Sequence, residues 1–409
     1  MLNQELLEQA RGLSDDITAL RRAIHAEPEL GLHTPLTRDK VRAALAGLPL
    51  EWREGPSTTG LVAVLKGGAG SGGNDVRRVL LRGDMDALPM PEETGLAFTS
   101  TFDGKMHACG HDAHTAMLAG AVRLLCARRE SLAGEVLFMF QPGEEGYHGA
   151  RFMLDDGLLG GGEFDPLPDA AFALHVMPNA PHGVIAGRAG SLLAAADQLE
   201  IVVEGRGGHA SLPHQTLDPV PVACEIVMAI QAMVARKFNV HDPVVVTVAA
   251  IHGGTAHNVI ADRAVMKGTI RTLSAANRKA VAEALELLAA GIAGAHGMTA
   301  VATITEGFPV TICDDRAVAF GERVTQGLLG PEAFMRLADP IMGAEDFSYV
   351  LEKAPGAMFF IGMAHQGEDW TQCCGIHSTR MTIDESVMPH GAALLASLGE
   401  QFLAGGFGA

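Results

Sequence analysis

The stretch Val136-Leu-Phe-Met-Phe-Gln-Pro-Gly-Glu-Glu-Gly146 joins an apolar run of the buried-strand kind to two adjacent carboxylates. Similar apolar runs alternate with helix-like segments around it, the runs at 61–65, 76–81 and 170–174 and the segments at 111–125 and 150–154. Strands that alternate with helices indicate a mostly parallel sheet flanked by helices on both faces. The first part of the chain is therefore predicted to be an α/β domain.

The middle of the chain has a different rhythm. Its segments follow the order β-α-β-β-α-β, at 198–204, 218–237, 244–251, 264–272, 275–295 and 298–305. This order is that of the ferredoxin-like, split-βαβ unit. The α/β alternation then resumes, with helices at 315–329 and 384–402 around a strand at 357–361. We therefore expect one domain from 1–188 and 304–409, and an inserted domain at 189–303.

Composition limits the class of protein. A chain of 409 residues favours two domains. The formal net charge of −18 argues against nucleic acid or an anionic membrane surface as a partner. Residues 1–20 carry scattered acidic side chains, which predicts an amphipathic helix rather than a signal peptide. We expect no window to approach the ~18 apolar residues of a membrane span. The six cysteines lack framework spacing, which is typical of reduced thiols in a cytoplasmic protein.

The densest polar cluster is Lys105-Met-His-Ala-Cys-Gly-His-Asp-Ala-His114, immediately before an apolar helix. Cys109 and His111 are two residues apart, so on an extended segment their side chains point the same way. Thiolate and imidazole bind zinc and the neighbouring transition metals. A polar loop that caps the helix would explain Asp112 but not the crowding. The cluster therefore predicts a metal site.

Other candidate groups follow predicted strands. Leu81-Arg-Gly-Asp-Met-Asp86 delivers Asp84 and Asp86 to a strand end, where sites form in open α/β sheets. Asp86 is expected to orient a metal-bound histidine, whereas Asp84 suits either a site or a solvated turn. His175 ends the next strand, and His377 precedes the last helix.

Glu144 and Glu145 are adjacent, and adjacent residues of an extended chain point to opposite sides. A division of labour is therefore expected, in which one carboxylate binds metal and its neighbour moves protons. A hydrolytic metal site needs both functions, because the metal activates water and a carboxylate carries the proton from that water to the leaving amine.

The ordered segments RGDMDALP (82–89), MHACGHDAHTAML (106–118), FQPGEEG (140–146), GRGGHAS (205–211) and GAEDFS (343–348) resemble the metallopeptidase M20 family over nearly the whole chain. The resemblance is strongest to its aminoacylase, hippurate hydrolase and auxin-conjugate amidohydrolase branch. It implies a zinc-peptidase-like α/β domain with two divalent metal ions per subunit, of zinc, manganese, cobalt or nickel. The implied metal ligands are Cys109, His111, Glu145, His175 and His377, and the implied general base is Glu144.

The resemblance also implies roles for the inserted domain, which matches a lid that pairs subunits into dimers or higher homo-oligomers. His209 matches a histidine that donates a hydrogen bond to the developing oxyanion, often in the partner subunit. Asn258 and Arg271 match positions that hold the substrate carboxylate, to which a guanidinium binds through two parallel hydrogen bonds.

The implied reaction is hydrolysis of the amide of an N-acyl-L-amino acid. Alternatives are a dipeptidase or aminopeptidase of the same family, a hydrolase with Cys109 as nucleophile, and an inactive metal- or ligand-binding protein or metal carrier. The chain has Ser-Thr-Arg after His377, where relatives more usually have Asn-Pro. This difference bears on the acyl pocket rather than on the metal site.

Overall fold

The computed structural model describes residues 2–69, 76–162 and 165–408. It divides into two compact units. Unit 1 consists of Met1–Leu192, Ile312–Asp339 and Asp346–Ala409, and unit 2 of Leu193–Thr311 and Pro340–Glu345. The last strand of unit 2 runs to Phe308, past the position 303 where the inserted domain was expected to end.

The helices and strands are numbered in chain order. The helices are α1 (Leu2–Gly12), α2 (Ser14–His25), α3 (Pro35–Ala44), α4 (His111–Ala127), α5 (Gly149–Asp155), α6 (Pro219–Lys237), α7 (Ala275–Ala295), α8 (Asp315–Leu329), α9 (Ser348–Leu351) and α10 (Met388–Gly405). The strands are β1 (Glu51–Glu54), β2 (Leu61–Lys66), β3 (Arg77–Asp84), β4 (Gly134–Gln141), β5 (Ala170–Met177), β6 (Ile185–Gly187), β7 (Gly190–Leu193), β8 (Ala195–Glu204), β9 (Gly208–His209), β10 (Val244–Gly253), β11 (Val259–Ile260), β12 (Arg263–Thr272), β13 (Thr299–Phe308), β14 (Thr311–Cys313), β15 (Phe334–Arg336) and β16 (Gly356–Gly362).

Unit 1 contains an eight-stranded sheet in the order β1-β2-β4-β3-β5-β16-β6-β15. Its central strands β4, β3, β5 and β16 are parallel neighbours, whereas β1 and β2 add an antiparallel edge. These central strands are almost wholly buried, and so is α4. The prediction of a mostly parallel sheet flanked by helices is confirmed.

The parallel register gathers the ends of three strands at one edge. Asp84 at the end of β3 pairs with Gln141 at the end of β4, and Arg82 pairs with Ala173 of β5. Because parallel strands point the same way, the segments that follow them leave from this edge. The motifs around Asp86, Glu144 and His175 therefore meet there.

Unit 2 is built on a four-stranded antiparallel sheet in the order β10-β12-β8-β13. Helices α6 and α7 share a buried apolar core with it, which includes Ile201, Ile226, Met266 and Leu285. Alternate residues of β8 are buried, as expected of a strand covered on one face. The ferredoxin-like β-α-β-β-α-β unit is confirmed.

Two expectations about helices are wrong. The single helix predicted at 1–20 is two helices, because Leu13, which follows Gly12 at the end of α1, leaves the helical region at φ −97° and ψ 3°. Helix α6 is long and apolar enough to cross a membrane by length and composition alone, although no such window was expected. One such helix is weak evidence for a membrane span; Val222, Ile226 and Ile230 of α6 are buried, although only 28% of its apolar window is.

Candidate metal centre

The loop before α4 directs two donor groups to one point. Gly110 has φ +84°, and a Cβ at this position would lie 2.2 Å from Cγ2 of Val176, so only glycine fits without rearrangement. His111 is the first residue of α4. The donor atoms of Cys109, His111 and His175 all lie within 4.8 Å of one another. The expected extended segment is wrong, since a left-handed glycine turn produces this convergence.

The Glu144–Glu145 pair lies in a turn rather than on an extended strand. Asp86 holds this turn, because its carboxylate accepts hydrogen bonds from the backbone N–H of Glu144 at 3.0 Å and of Glu145 at 3.1 Å. The donor atoms of His111, Glu144 and Glu145 lie within 4.8 Å of one another. The expectation that the two carboxylates point to opposite sides is therefore wrong.

Two histidines complete the cluster. The Nδ1 of His175 is 2.7 Å from the carbonyl oxygen of Val176, which makes Nδ1 the donor and leaves the Nε2 lone pair towards Cys109 Sγ at 3.4 Å. His377 is one of two non-glycine residues with positive φ in the described chain, at +64°, and its N–H donates to Ala108 O at 2.7 Å. Cys109, Glu145 and His377 form a further group of donor atoms within 4.8 Å.

The charges in this cluster are strongly coupled. Burial raises the pKa of the Cys109 thiol, although His111 opposes that effect. Burial favours neutral His111, but Asp84 and Cys109 outweigh it and hold the pKa of His111 well above its usual value. Cys109 and Glu145 raise the pKa of His377 to about 10. Cys109 and the carboxylates of Asp84 and Glu145 therefore stabilise a positive charge placed between them.

The residues fit a pair of divalent ions. Within the described chain, neither ring nitrogen of His111 makes a hydrogen bond of normal geometry, although Asp86 and Asp84 oxygens lie 3.5 Å away, and buried Oε1 of Glu145 faces His377 Nε2 at 3.4 Å. Buried polar atoms are normally satisfied, so these atoms are suited to a cation. Sulfur, nitrogen and oxygen donors are the set that zinc and its neighbours bind. Cys109, His111, His175, Glu145 and His377 are the residues that could hold the ions.

Asp84 and His114 are buried beside the metal-ligand residues and contact each other. The sequence left open whether Asp84 belongs to a site or to a solvated turn. His114 Nε2 accepts from the Val176 N–H at 2.8 Å, so Nδ1 carries the proton and donates to Asp84 Oδ1 at 2.6 Å. Asp84 is fully buried and also pairs with Arg82 at 2.5 Å. Burial would raise the pKa of Asp84, but Arg82 and His111 hold it well below its usual value. Charged residues at every second position, 82, 84 and 86, were the available signal.

A second cluster of buried and partly buried polar side chains lies against the first turn of α4. Asp112 Oδ2 accepts from Arg21 Nε at 2.9 Å and from His25 Nδ1 at 2.8 Å. Glu92 faces His25 Nε2 at 3.1 Å, and Glu385 accepts from Arg21 Nη1 at 2.9 Å. We call Arg21, His25, Glu92, Asp112 and Glu385 the Asp112 network.

His25 lies between two carboxylates in this network. Burial favours the neutral ring, but Asp112 and Glu92 outweigh it and raise the pKa of His25 to about 9. A raised folded-state pKa stabilises the fold fully below the unfolded value near 6.5, and that stabilisation is lost as pH rises through about 9.

We therefore expect the free energy of unfolding of the wild type to exceed that of His25→Gln by a large amount at pH 6.5 and by little at pH 10. The raised pKa of His25 corresponds to a difference of about 3 kcal/mol. Urea unfolding of both proteins across this range measures it. His296→Gln is the control, since His296 forms an exposed ion pair with Glu225 and should give a small difference at every pH. A difference for His25→Gln that does not change with pH would contradict the prediction.

Three predicted residues lie in unit 2. His209 on β9 pairs with Val259 on β11, next to Asn258, whose carbonyl oxygen accepts from the Ala210 N–H at 3.1 Å. The Nδ1 of His209 accepts from the backbone N–H of Ser211 at 3.1 Å and contacts Ser211 Oγ at 2.8 Å. The proton of neutral His209 is therefore on Nε2, which becomes a donor.

Arg271 lies on a separate strand of unit 2, β12. Its Nη1 donates to Ile270 O at 3.2 Å. Within the described residues, no carboxylate lies in ion-pair range of its guanidinium. The structure thus brings His209 and Asn258 together on the β9–β11 ribbon and leaves Arg271 with unused hydrogen-bonding capacity.

A mostly parallel α/β sheet with buried thiolate, imidazole and carboxylate donors at its carboxyl edge defines a metal-dependent hydrolase that binds two divalent ions. The sequence profile of peptidase family M20/M25/M40 matches residues 80–401. The chain belongs to this family.

Curated relatives match over nearly the full length. An IAA-amino acid hydrolase ILR1-like 2 of Arabidopsis thaliana is 36% identical, and the match covers 98% of this chain and 89% of the relative. Thermostable carboxypeptidase 1 of Saccharolobus solfataricus is 35% identical, with 98% and 99% covered. A crystal structure of the Bacillus subtilis YXEP protein, described as a dinuclear metal binding peptidase from the M20 family, has a TM-score of 0.81 and 32% identity, with 96% and 99% covered.

Proposed function

We propose that the chain hydrolyses the amide bond of N-acyl-L-amino acids to a carboxylic acid and a free amino acid. The observation that carries this proposal is the convergence of His111, Glu144 and Glu145 within 4.8 Å. The family resemblance assigns metal binding to Cys109, His111, His175, Glu145 and His377 and proton transfer to Glu144, whose carboxylate lies within 4.8 Å of the donor atoms of His111 and Glu145. The names of the two curated relatives describe reactions that release an amino acid from an amide.

Each residue then has one task. Cys109, His111, His175, Glu145 and His377 would hold two divalent ions, which would supply Lewis acidity for the water and the acyl carbonyl. Glu144 accepts the proton of the attacking water and returns it to the leaving amine nitrogen. Nε2–H of His209 donates to the negative charge that develops on the acyl carbonyl oxygen. Asn258 and Arg271 bind the α-carboxylate of the substrate.

Zinc, manganese, cobalt and nickel all suit these donors, and the Cys109 thiolate favours the softer ions among them. A thiolate ligand must stay reduced, which supports a cytoplasmic location. We further propose a homodimer or higher homo-oligomer formed through unit 2. The support for this is the resemblance of the inserted domain to the family's lid; unit 2 also exposes single large apolar side chains at Met228, Val240, Leu287 and Val301.

The second candidate is a dipeptidase or carboxypeptidase within the same family, favoured by the name of the Saccharolobus relative. An amino acid leaving group is common to both candidates, and only the acyl side differs. The Ser-Thr-Arg segment after His377 lies close to the metal cluster in sequence and is the chain's own candidate for setting that side.

The test is a panel of N-acetyl, N-benzoyl and longer N-acyl-L-amino acids assayed beside dipeptides for release of free α-amine. The protein is stripped with a chelator and reloaded separately with zinc, manganese, cobalt or nickel. Metal-dependent turnover of acyl amino acids is the expected result. A preference for dipeptides would favour the second candidate, and no turnover by metal-loaded protein would contradict both.

Arg271→Ala is expected to raise KM for N-acyl amino acids by about 10- to 100-fold, because a charge-assisted hydrogen-bond pair is lost. Turnover of the corresponding N-acyl amino acid amides, which lack the carboxylate, should change little. Steady-state kinetics with the two substrate series measures the difference. Arg263→Ala is the matched control, since Arg263 lies on the same strand β12 and is expected to leave both KM values unchanged. Equal effects of Arg271→Ala on acid and amide substrates would rule out carboxylate binding.

A further inference from the structure

Asp112 holds an unusual place in α4. It follows His111 directly in the first turn of the helix, where an acidic side chain often caps its own backbone N–H groups. The N-cap of α4 is Gly110, and no side-chain cap is present there in the described chain. The Asp112 carboxylate instead binds Arg21 and His25 of α2. The first turn of α4 is thus held by a partner on another helix.

The residues that precede Cys109 contact the Asp112 network as well. His107, which precedes Cys109 by two residues, is buried, and its ring centroid lies 6.2 Å from that of His25. Within the described residues, neither ring nitrogen of His107 has a hydrogen-bond partner. His107 and Asp112 therefore flank Cys109 and His111, and both lie against His25.

Simple attachment of α2 does not require these charges. Ile17 and Ile24 of α2 are buried, and a Cβ placed on Gly120 of α4 would lie 2.8 Å from Cδ1 of Ile17, so the two helices are already in close apolar contact. Arg21, His25 and Asp112 are at most 1% exposed. Each buried charge costs several kcal/mol of desolvation, and apolar replacements of buried ion pairs are often equally stable. What this ionic network adds is a fixed orientation through the bonds from Arg21 Nε and His25 Nδ1 to Asp112 Oδ2, although Arg21 Nη2 and Asp112 Oδ1 have no hydrogen-bond partner within the described residues.

We propose that Asp112, held by Arg21 and His25, is a positioning residue that sets the direction of the His111 side chain. The inference rests on the proposed role of His111 as a metal ligand. The network fixes the rotation of the first turn of α4 about the helix axis, and with it the point at which the His111 imidazole meets Cys109 and His175. Asp112 itself touches neither metal nor substrate in this proposal.

The test uses Co²⁺ as the probe on chelator-stripped full-length protein. Asp112→Asn and Arg21→Met are each expected to lower the affinity for Co²⁺ by about 10- to 100-fold and to change the visible absorption of the bound ion. Competition with a chromophoric chelator measures the affinity. Arg21→Lys keeps the charge and should recover part of the loss. In the double variant the losses should not add, because the two residues act together.

Arg22→Met is the matched control. Arg22 also binds Glu385, but its side chain is 49% exposed and, within the described chain, it makes no hydrogen bond to Asp112. Its affinity for Co²⁺ and its spectrum should match the wild type. If Asp112→Asn does not fold, as judged by circular dichroism, Arg21→Met and His25→Gln decide the question.

A purely structural role predicts lower melting temperatures with wild-type Co²⁺ affinity and spectrum in the folded variants, and that result would overturn the inference. A wild-type protein that fails to bind Co²⁺ at all would instead refute the metal site, and the inference with it. The two failures are therefore distinguishable.

Discussion

Glu144→Gln is expected to reduce kcat by ~10²- to 10⁴-fold while the protein keeps its full metal content. The amide has nearly the same size as the carboxylate, and the hydrogen bond from the backbone N–H of residue 144 to Asp86 remains possible. What is lost is a group that accepts the proton of water and delivers it to the leaving amine. Metal analysis after gel filtration and steady-state kinetics on the best N-acyl amino acid measure the two quantities.

Glu145→Gln is the matched control, because Glu145 is adjacent, lies in the same turn and has its backbone N–H bound to the same Asp86. This variant should lose about one equivalent of metal along with its activity, since a neutral amide oxygen is a weaker ligand than a carboxylate. The reverse pattern, with metal lost from Glu144→Gln and kept by Glu145→Gln, would exchange the two roles.

Glu144→Gln, together with Cys109→Ser, also separates the alternatives for the chain. A metal carrier should bind metal normally after Glu144→Gln and have no activity to lose. A hydrolase with Cys109 as nucleophile should retain much of its turnover after the same change and lose it in Cys109→Ser. Cys109 lies 3.4 Å from His175, but its sulfur also lies within 4.8 Å of Glu145 and His377, which favours the metal role.

His209→Ala is expected to reduce kcat by ~10²- to 10³-fold with a smaller change in KM, the effect typical of losing one oxyanion donor. The structural reason is the tautomer, because the Ser211 N–H donates to Nδ1 of His209 and so places the proton on Nε2. Stopped assays at saturating substrate measure kcat, and the metal content of this variant should equal that of the wild type.

Variants at two residues near His209 in sequence provide further tests of this prediction. Ser211→Ala removes one contact to His209 Nδ1 but keeps the backbone N–H bond, so a loss of only about 3- to 10-fold is expected. His214→Ala changes another histidine of the same loop and should leave kcat unaltered. Wild-type kcat in His209→Ala would exclude the oxyanion role.

The local elements of the chain were accessible from sequence because they depend on periodicity. Buried strands such as β4 and β5 appear as continuous apolar runs, and the β-α-β-β-α-β order of unit 2 follows from alternating strands and helical stripes. The break at Leu13 between α1 and α2 escaped this reading, since one residue outside the helical region hardly disturbs an amphipathic pattern. The apolar length of α6 was underestimated as well, because its few polar residues, among them Glu225 and Gln231, do not exclude a span by composition.

The sequence predicted the types of residue in the candidate site but not their geometry. The polar cluster before α4 pointed to Cys109 and His111, strand ends pointed to the Glu144–Glu145 pair and His175, and the structure brings donor atoms of these residues together in overlapping groups. The reasons given from the sequence for two of these groups did not hold. Left-handed glycines at 110 and 143 turn the chain where an extended segment was assumed, and such turns depend on contacts that the local sequence does not encode.

What the sequence by itself determined about this protein is the class of its fold, the central strands of its parallel sheet, the β-α-β-β-α-β order of unit 2, and the types of donor group near the site. Only the tertiary structure decided that Asp84 is a buried partner of Arg82 and His114, and that Asp112 binds Arg21 and His25. The physical reason is the distance along the chain over which the interacting residues are separated. Backbone periodicity is set by near neighbours, whereas the burial and pairing of a charge depend on residues far away along the chain that packing brings into contact.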